Sequence, residues 1–215
     1  MSALVGRGLT RGFDHPDGRI EVLRGVDLSV ASAEVVTVSG RSGSGKSALF
    51  AVLCGFDKPD AGTVAVCGQP LAAVPAWADC GVLPQALGLA QELTLAENVG
   101  LPLRLSGRRA EVRDRVAELL AELGIDGLAD RYPHEVSYGQ QQRAALARAV
   151  SARPRVLLAD EPTAHLDHDS VAAVLGLLRR TAGEGTAVLV ATHHDAVHDI
   201  ADRGLALVDG RIAVA

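Results

Sequence analysis

The chain has 215 residues, 48% of them hydrophobic, enough to bury one full core without help from disulfides. A net charge of −5 and a pI near 5.8 exclude the basic stripe of a nucleic-acid binder and the bulk positive charge of a membrane-surface protein. Apolar runs such as Ala187 to Ala191 are far shorter than the roughly 18 residues that cross a bilayer. Met1 to Arg7 lacks the apolar segment of a secretory signal, so the expected compartment is the cytosol. Cys54, Cys67 and Cys80 form no C-x-x-C pair and read as small buried hydrophobes.

From the N-terminus, Leu9 to Phe13 and Ile20 to Leu23 flank a turn at His15-Pro16-Asp17-Gly18, which predicts an antiparallel sheet. The run Glu34 to Val38 leads through a glycine-rich loop into a helix over Ser47 to Cys54. Thr63 to Val66 and Gly81 to Leu83 read as short strands. Val112, Val116, Leu119, Leu120 and Leu123 recur at helical spacing and Gly124 supplies the stop, so 108–123 reads as a helix of an inserted helical segment. The arginines at 104, 108, 109, 113 and 115 read as a solvated face of that segment. A second helix covers Gly139 to Ala152. Val156 to Ala159 is a continuous apolar run of the kind a strand buried on both faces needs. Helix Val171–Arg180, strand Ala187–Ala191, helix Asp195–Asp202 and strand Leu205–Val208 follow, and Asp209-Gly210 signals a hairpin into Ile212 to Val214. Alternating strands and helices imply an α/β fold with a parallel sheet and phosphate chemistry at the strand ends.

Three places carry chemistry. Gly40-Arg41-Ser42-Gly43-Ser44-Gly45-Lys46-Ser47 fits G-x-x-x-x-G-K-[ST] between a strand and a helix, the arrangement that points backbone amides and a helix N-terminus at a phosphate. Lys46 is placed to bridge β- and γ-oxygens, and the Ser47 hydroxyl to ligate Mg²⁺. At the end of the 156–159 strand, Asp160 is suited to hold the metal and Glu161 to orient or deprotonate the attacking water. The neighbours of that strand should include the phosphate loop. His193, just past the 187–191 strand, is placed to contact a γ-phosphate. Gln85 is uninformative by itself, and Phe13 is either core or a ring lying flat on an adenine.

Val136-Ser137-Tyr138-Gly139-Gln140-Gln141-Gln142-Arg143 brings these pieces together, because the chain here resembles the nucleotide-binding subunit of an ABC transporter. The resemblance covers essentially the whole chain. It implies a P-loop NTPase core with an N-terminal antiparallel β-subdomain and an inserted α-helical subdomain at about 86–152, all within one ATP-binding domain over 1–215. It makes Gln85 a catalytic and metal-contacting residue of the Q-loop, His193 the switch histidine, Asp167 the D-loop aspartate and Phe13 the aromatic that stacks on adenine. Ser137, Tyr138, Gly139 and Gln140 form the signature, which acts in trans on the nucleotide of a second subunit. The implied cofactors are ATP and Mg²⁺. The implied partners are a second ATP-binding subunit, making a homodimer, and a separate membrane permease that holds the chain at the inner face of the membrane; no nucleic acid is expected.

Asn98, Pro102 and Arg104 are similar to the branch of lipoprotein-releasing, macrolide-exporting and peptide-antibiotic-resistance ATPases and the cell-division ATPase. That likeness implies an ATPase powering an exporter, or an ATP-gated regulatory module that moves no substrate. Two residues depart from the family pattern. Tyr138 replaces the first glycine of Ser-Gly-Gly-Gln, and Ala48 replaces a common threonine.

Overall fold

The computed structural model describes residues 2–16 and 18–214. In chain order the elements are β1 (Ser2–His15), β2 (Gly18–Ala31), β3 (Val35–Ser39), α1 (Lys46–Leu53), β4 (Ala61–Val66), β5 (Gln69–Pro70) and β6 (Cys80–Leu83). Then come α2 (Leu95–Leu105), α3 (Val112–Glu122), α4 (Tyr138–Ser151), β7 (Val156–Asp160), α5 (His168–Gly183), β8 (Ala187–Ala191), α6 (Asp195–Asp199), β9 (Arg203–Val208) and β10 (Arg211–Val214).

Strands β2-β1-β4-β5 make an antiparallel sheet. Its two long strands extend the predicted segments at both ends, with register shifts between Gly6 and Gly12 absorbing the irregular residues. Asp17 of the predicted turn lies outside the described residues. The second sheet has the order β10-β9-β3-β8-β7-β6, parallel except for the terminal β9–β10 hairpin. Asp209 (φ 47°) and Gly210 (φ 75°) both hold positive φ, the turn that the Asp-Gly pair favours.

Both faces of the parallel sheet are covered, which is why its strands read as unbroken apolar runs. Successive residues point to opposite sides. Val35, Leu157, Ala159, Val188 and Val190 pack with Leu95, Val99, Leu119, Leu123 and Leu146 of the helical layer. Val36, Val38, Val156, Leu158, Leu189 and Ala191 pack with Leu49 and Leu53 of α1 and with Leu4, Val26 and Val64 of the antiparallel sheet. Full burial of each such leucine contributes about 1.5–3 kcal/mol before the entropy of ordering is counted.

Helix α2 is not among the helices the sequence predicts. Thr94 begins it with a capping box: Thr94 Oγ1 accepts from Glu97 N (3.2 Å), and Glu97 Oε2 accepts from Thr94 N (2.9 Å). The arginine stretch meets expectation at Arg104, Arg109 and Arg113, which are exposed, and departs from it at Arg108 and Arg115. Arg115 is buried, donating to Glu118 (3.0 Å) and the Val150 carbonyl (3.4 Å), while Arg108 ties Glu111 (2.7 Å) to the Ala152 carbonyl (2.8 Å). These two side chains bind α3 and the segment before it to the end of α4, a structural use rather than a solvated one. Cys54 and Cys80 are buried and Cys67 half-buried. Burial pushes the Cys80 thiol up to about 12, with Cys54, Asp79 and Cys67 adding to the effect, so it stays an unreactive thiol.

Candidate active site

The phosphate-binding loop joins β3 to α1. Gly43 (φ 81°) and Gly45 (φ 104°) take the left-handed backbone that the curl requires. A Cβ on Gly40 would stand 2.6 Å from both the Leu207 carbonyl oxygen and Ser44 Oγ, so no side chain fits there. Gly45 offers α1 no side-chain cap and the first turn carries no acidic residue, which leaves its N-terminal amides for an anion. Lys46 Nζ donates to the carbonyls of Gly40 (2.6 Å) and Arg41 (3.3 Å), holding its charge over the loop.

The chemistry across from the loop comes from the ends of β7 and β8. Strand β8 lies between β3 and β7, so the carboxylates stand next but one to the phosphate loop rather than beside it. His193, beyond β8, fills the interval. Its Nδ1 lies 2.7 Å from Glu161 Oε1. Glu161 N donates to the Ala191 carbonyl (2.9 Å), and its φ of 51° is a conformation a glutamate holds only when its neighbours enforce it. One enforcing neighbour is Gln142, a buried residue of α4 whose Nε2 donates to the Glu161 carbonyl (2.6 Å). Sequence reasoning passed over Gln142; its only signal was a polar residue beside the buried alanines of that helix.

Asp160 is buried, and that burial, followed by the charge of Glu161, raises its carboxyl above the ordinary range while Lys46 opposes the shift. A cation beside it would restore the ionised form. Ser47, on the first turn of α1, lines the same space. This donor set fits Mg²⁺, a hard cation that takes few protein oxygens when phosphate supplies others. Among the described residues no cluster of three His, Cys, Asp or Glu side chains could hold a metal unaided.

These groups enclose a cleft of about 790 Å³ lined by Gly40, Arg41, Ser42, Gly43, Gly45, Lys46, Ser47, Gln85, Tyr138, Gln142, Asp160, Glu161 and His193. Ser44 is tucked behind the lining, its hydroxyl buried without a hydrogen-bond partner. Phe13 stands outside the lining, with the Arg11 guanidinium 4.7 Å from its ring centroid and Arg11 itself bonded to Asp57 and Asp60. Ser137, Gly139, Gln140 and Asp167 are not in the lining either. Ser137 and Gln140 form the capping box that starts α4, and Asp167 caps α5 by accepting from Ser170 N (2.8 Å). That amide, then the Ser170 hydroxyl, holds the Asp167 carboxyl below its ordinary range.

A glycine-rich loop facing a strand-end carboxylate pair across a covered parallel sheet defines a phosphate-loop ATPase. The ABC transporter family model matches residues 23–164, and the chain belongs to that family as an ATP-binding ATPase domain that takes ATP with Mg²⁺. The chain is similar to the methionine import ATP-binding protein MetN of Rhodospirillum rubrum, 40% identical over 97% of this chain and 62% of the relative. It is also similar to MetN of Nocardia farcinica, 41% identical over 89% of this chain and 60% of the relative. The chain thus spans about three-fifths of the length of these relatives. Among solved structures, it superposes on one chain of the dimeric structure of the ATP-binding cassette MJ0796 in a post-hydrolysis state bound to ADP and Pi, with a TM-score of 0.90, 30% identity, and coverage of 97% of this chain and 96% of that one.

The relatives overturn the branch and the exporter reading drawn from Asn98, Pro102 and Arg104, since they are named for methionine import. The structure supplies a reason why Asn98 misled. Its fully buried side chain accepts from Ala90 N (2.8 Å) and donates to the carbonyls of Ala90 (2.9 Å), Leu93 (3.0 Å) and Thr94 (3.0 Å). A residue that stitches a loop to a helix reports the fold and carries no information about cargo or direction.

Proposed function

We propose that this chain is the ATP-hydrolysing motor of an ABC importer with methionine as its cargo. Two copies would work with a separate membrane permease, which holds them at the inner face of the membrane. The observation that carries the reading is the convergence of Lys46, Asp160, Glu161 and His193 on one cleft, with His193 Nδ1 bonded to Glu161 Oε1. Direction and cargo come from the relatives named for methionine import, and pairing of copies from the MJ0796 dimer. Residues 86–152 are read as the helical subdomain of one cassette. Among the described residues no helix is long and apolar enough to cross a membrane, which fits a permease carried on other chains.

In this mechanism the loop amides and Lys46 bind the triphosphate and set its γ-phosphate toward the ends of β7 and β8. Mg²⁺ held by Ser47, Asp160 and Gln85 would neutralise charge on the phosphate oxygens. Glu161 takes the proton of the attacking water. An ionised Glu161 accepts from His193, which places the ring proton on Nδ1 and fixes both side chains. Ser137, Tyr138, Gly139 and Gln140 at the start of α4, with Asp167, face the nucleotide of the second copy, and Phe13 receives the adenine after Arg11 yields or shares the ring.

Glu161→Gln keeps shape and removes the base, so turnover should fall by about 10²- to 10⁴-fold while nucleotide binding persists. Uptake of labelled methionine by cells that depend on this chain should fall with it. Normal hydrolysis in the variant would remove Glu161 from its role; lost hydrolysis with intact uptake would remove the cargo.

A further inference from the structure

Helix α4 grips the chain on both sides of the cleft. Arg148 donates Nη2 to the Leu87 carbonyl (2.7 Å) and Nη1 to the Gly88 carbonyl (2.5 Å). Its guanidinium is buried and its Nε has no hydrogen-bond partner, so two backbone carbonyls and the Trp77 ring, with its centroid 5.8 Å from the guanidinium carbon, offset the charge. Both accepting residues hold positive φ, 50° at Leu87 and 62° at Gly88, so this is a fixed anchor for a strained turn. Gln142 makes the second buried tie, to Glu161.

The third tie is different. Tyr138 Oη donates to the Gln85 carbonyl (3.2 Å), and its ring stands edge-on to His165 with centroids 5.4 Å apart. Unlike Arg148 and Gln142 it is 46% exposed, and its bond can exchange with water. Beneath it a hollow of about 150 Å³, lined in part by Ala86, Leu89, Gln91 and Gln141, leaves room for residues 85 and 86 to move while Leu87 and Gly88 stay anchored. Tyr138 also borders the cleft beside Gln85.

We propose that Tyr138 is a positioning residue: it tethers Gln85 to the start of α4 and holds it back from the nucleotide. The proposal rests on the ATPase reading above. A bond made in this arrangement and lost when Gln85 moves toward a bound nucleotide favours the present arrangement by the strength of that bond. A glycine at 138, the usual residue of the family pattern, could not make it. The tether therefore slows each cycle through the Gln85 carbonyl rather than through the phosphate loop.

Tyr138→Phe deletes the hydroxyl alone. Its turnover at saturating ATP should rise by about fivefold, the worth of one ordinary hydrogen bond, with a smaller change in KM for ATP. Backbone amides of residues 85 to 88 should exchange with deuterium faster in the variant, and its thermal midpoint should fall by no more than about 2–4 °C, the shift that the loss of one such bond produces in a chain of this size. Tyr138→Gly should raise turnover at least as far. Unchanged or lower turnover in Tyr138→Phe, or unchanged exchange at 85 to 88, overturns the tether. Glu161→Gln measured alongside separates the two ideas: if it hydrolyses normally the ATPase assignment is at fault, whereas a dead Glu161→Gln with an unaltered Tyr138→Phe removes only the tether.

Discussion

The parallel sheet and the helical layer stacked on it are built on different principles. Strands β7 and β8 are buried at every residue, and they present chemistry only where they end, at Asp160 and just beyond Ala191. The segment from α2 to α4 instead buries Asn98, Arg115, Gln142 and Arg148, each bonded to backbone carbonyls. Apolar burial is non-directional and gives a stiff platform. Polar ties fix particular loops at particular places, and each can be made or broken singly. The contrast teaches where movement belongs in this molecule: the carboxylates ride on the platform, while Gln85 and the start of α4 hang on hydrogen bonds.

Two substitutions sharpen that contrast. Leu158→Ala, on the fully buried β7, removes packing against α1 and the antiparallel sheet and should cost about 2–5 kcal/mol, read as a shift in the urea midpoint. Its effect should appear at every probe, because the sheet unfolds as a unit. Asn98→Ala leaves Ala90 N and the Leu93 carbonyl to find other partners, while the Ala90 and Thr94 carbonyls keep the amides of residues 93 and 98, and should cost about 1–3 kcal/mol. Here hydrogen exchange should quicken first at residues 90 to 94. A uniform loosening after Asn98→Ala, or a purely local one after Leu158→Ala, would break the comparison.

The platform was the legible part. Val156 to Ala159 and Ala187 to Ala191 read as strands because burial on both faces demands unbroken apolar runs, and the phosphate loop was plain because glycine is needed where a Cβ would strike the Leu207 carbonyl. The helical layer was less legible for the reason it differs. Helix α2 carries Pro102 and a buried asparagine, which hide its apolar pattern, although Thr94 and Glu97 spelled the capping box. The tie from Gln142 to Glu161 spans 19 residues, and the tie from Arg148 to Leu87 spans 61. Nothing local in sequence reports such pairs. Phe13 shows the converse: the sequence left open whether its ring is core or stacks on adenine, and the structure exposes the ring beside Arg11, two residues back on the same strand.

In the proposed mechanism a second copy completes the cleft with the start of its α4. The direct measurement is the rate of ATP hydrolysis per chain as the protein is diluted, with the oligomeric state followed by sedimentation in the same samples. The rate per chain should fall as dimers dissociate. A constant rate per chain in a sample that sediments as a monomer would contradict it.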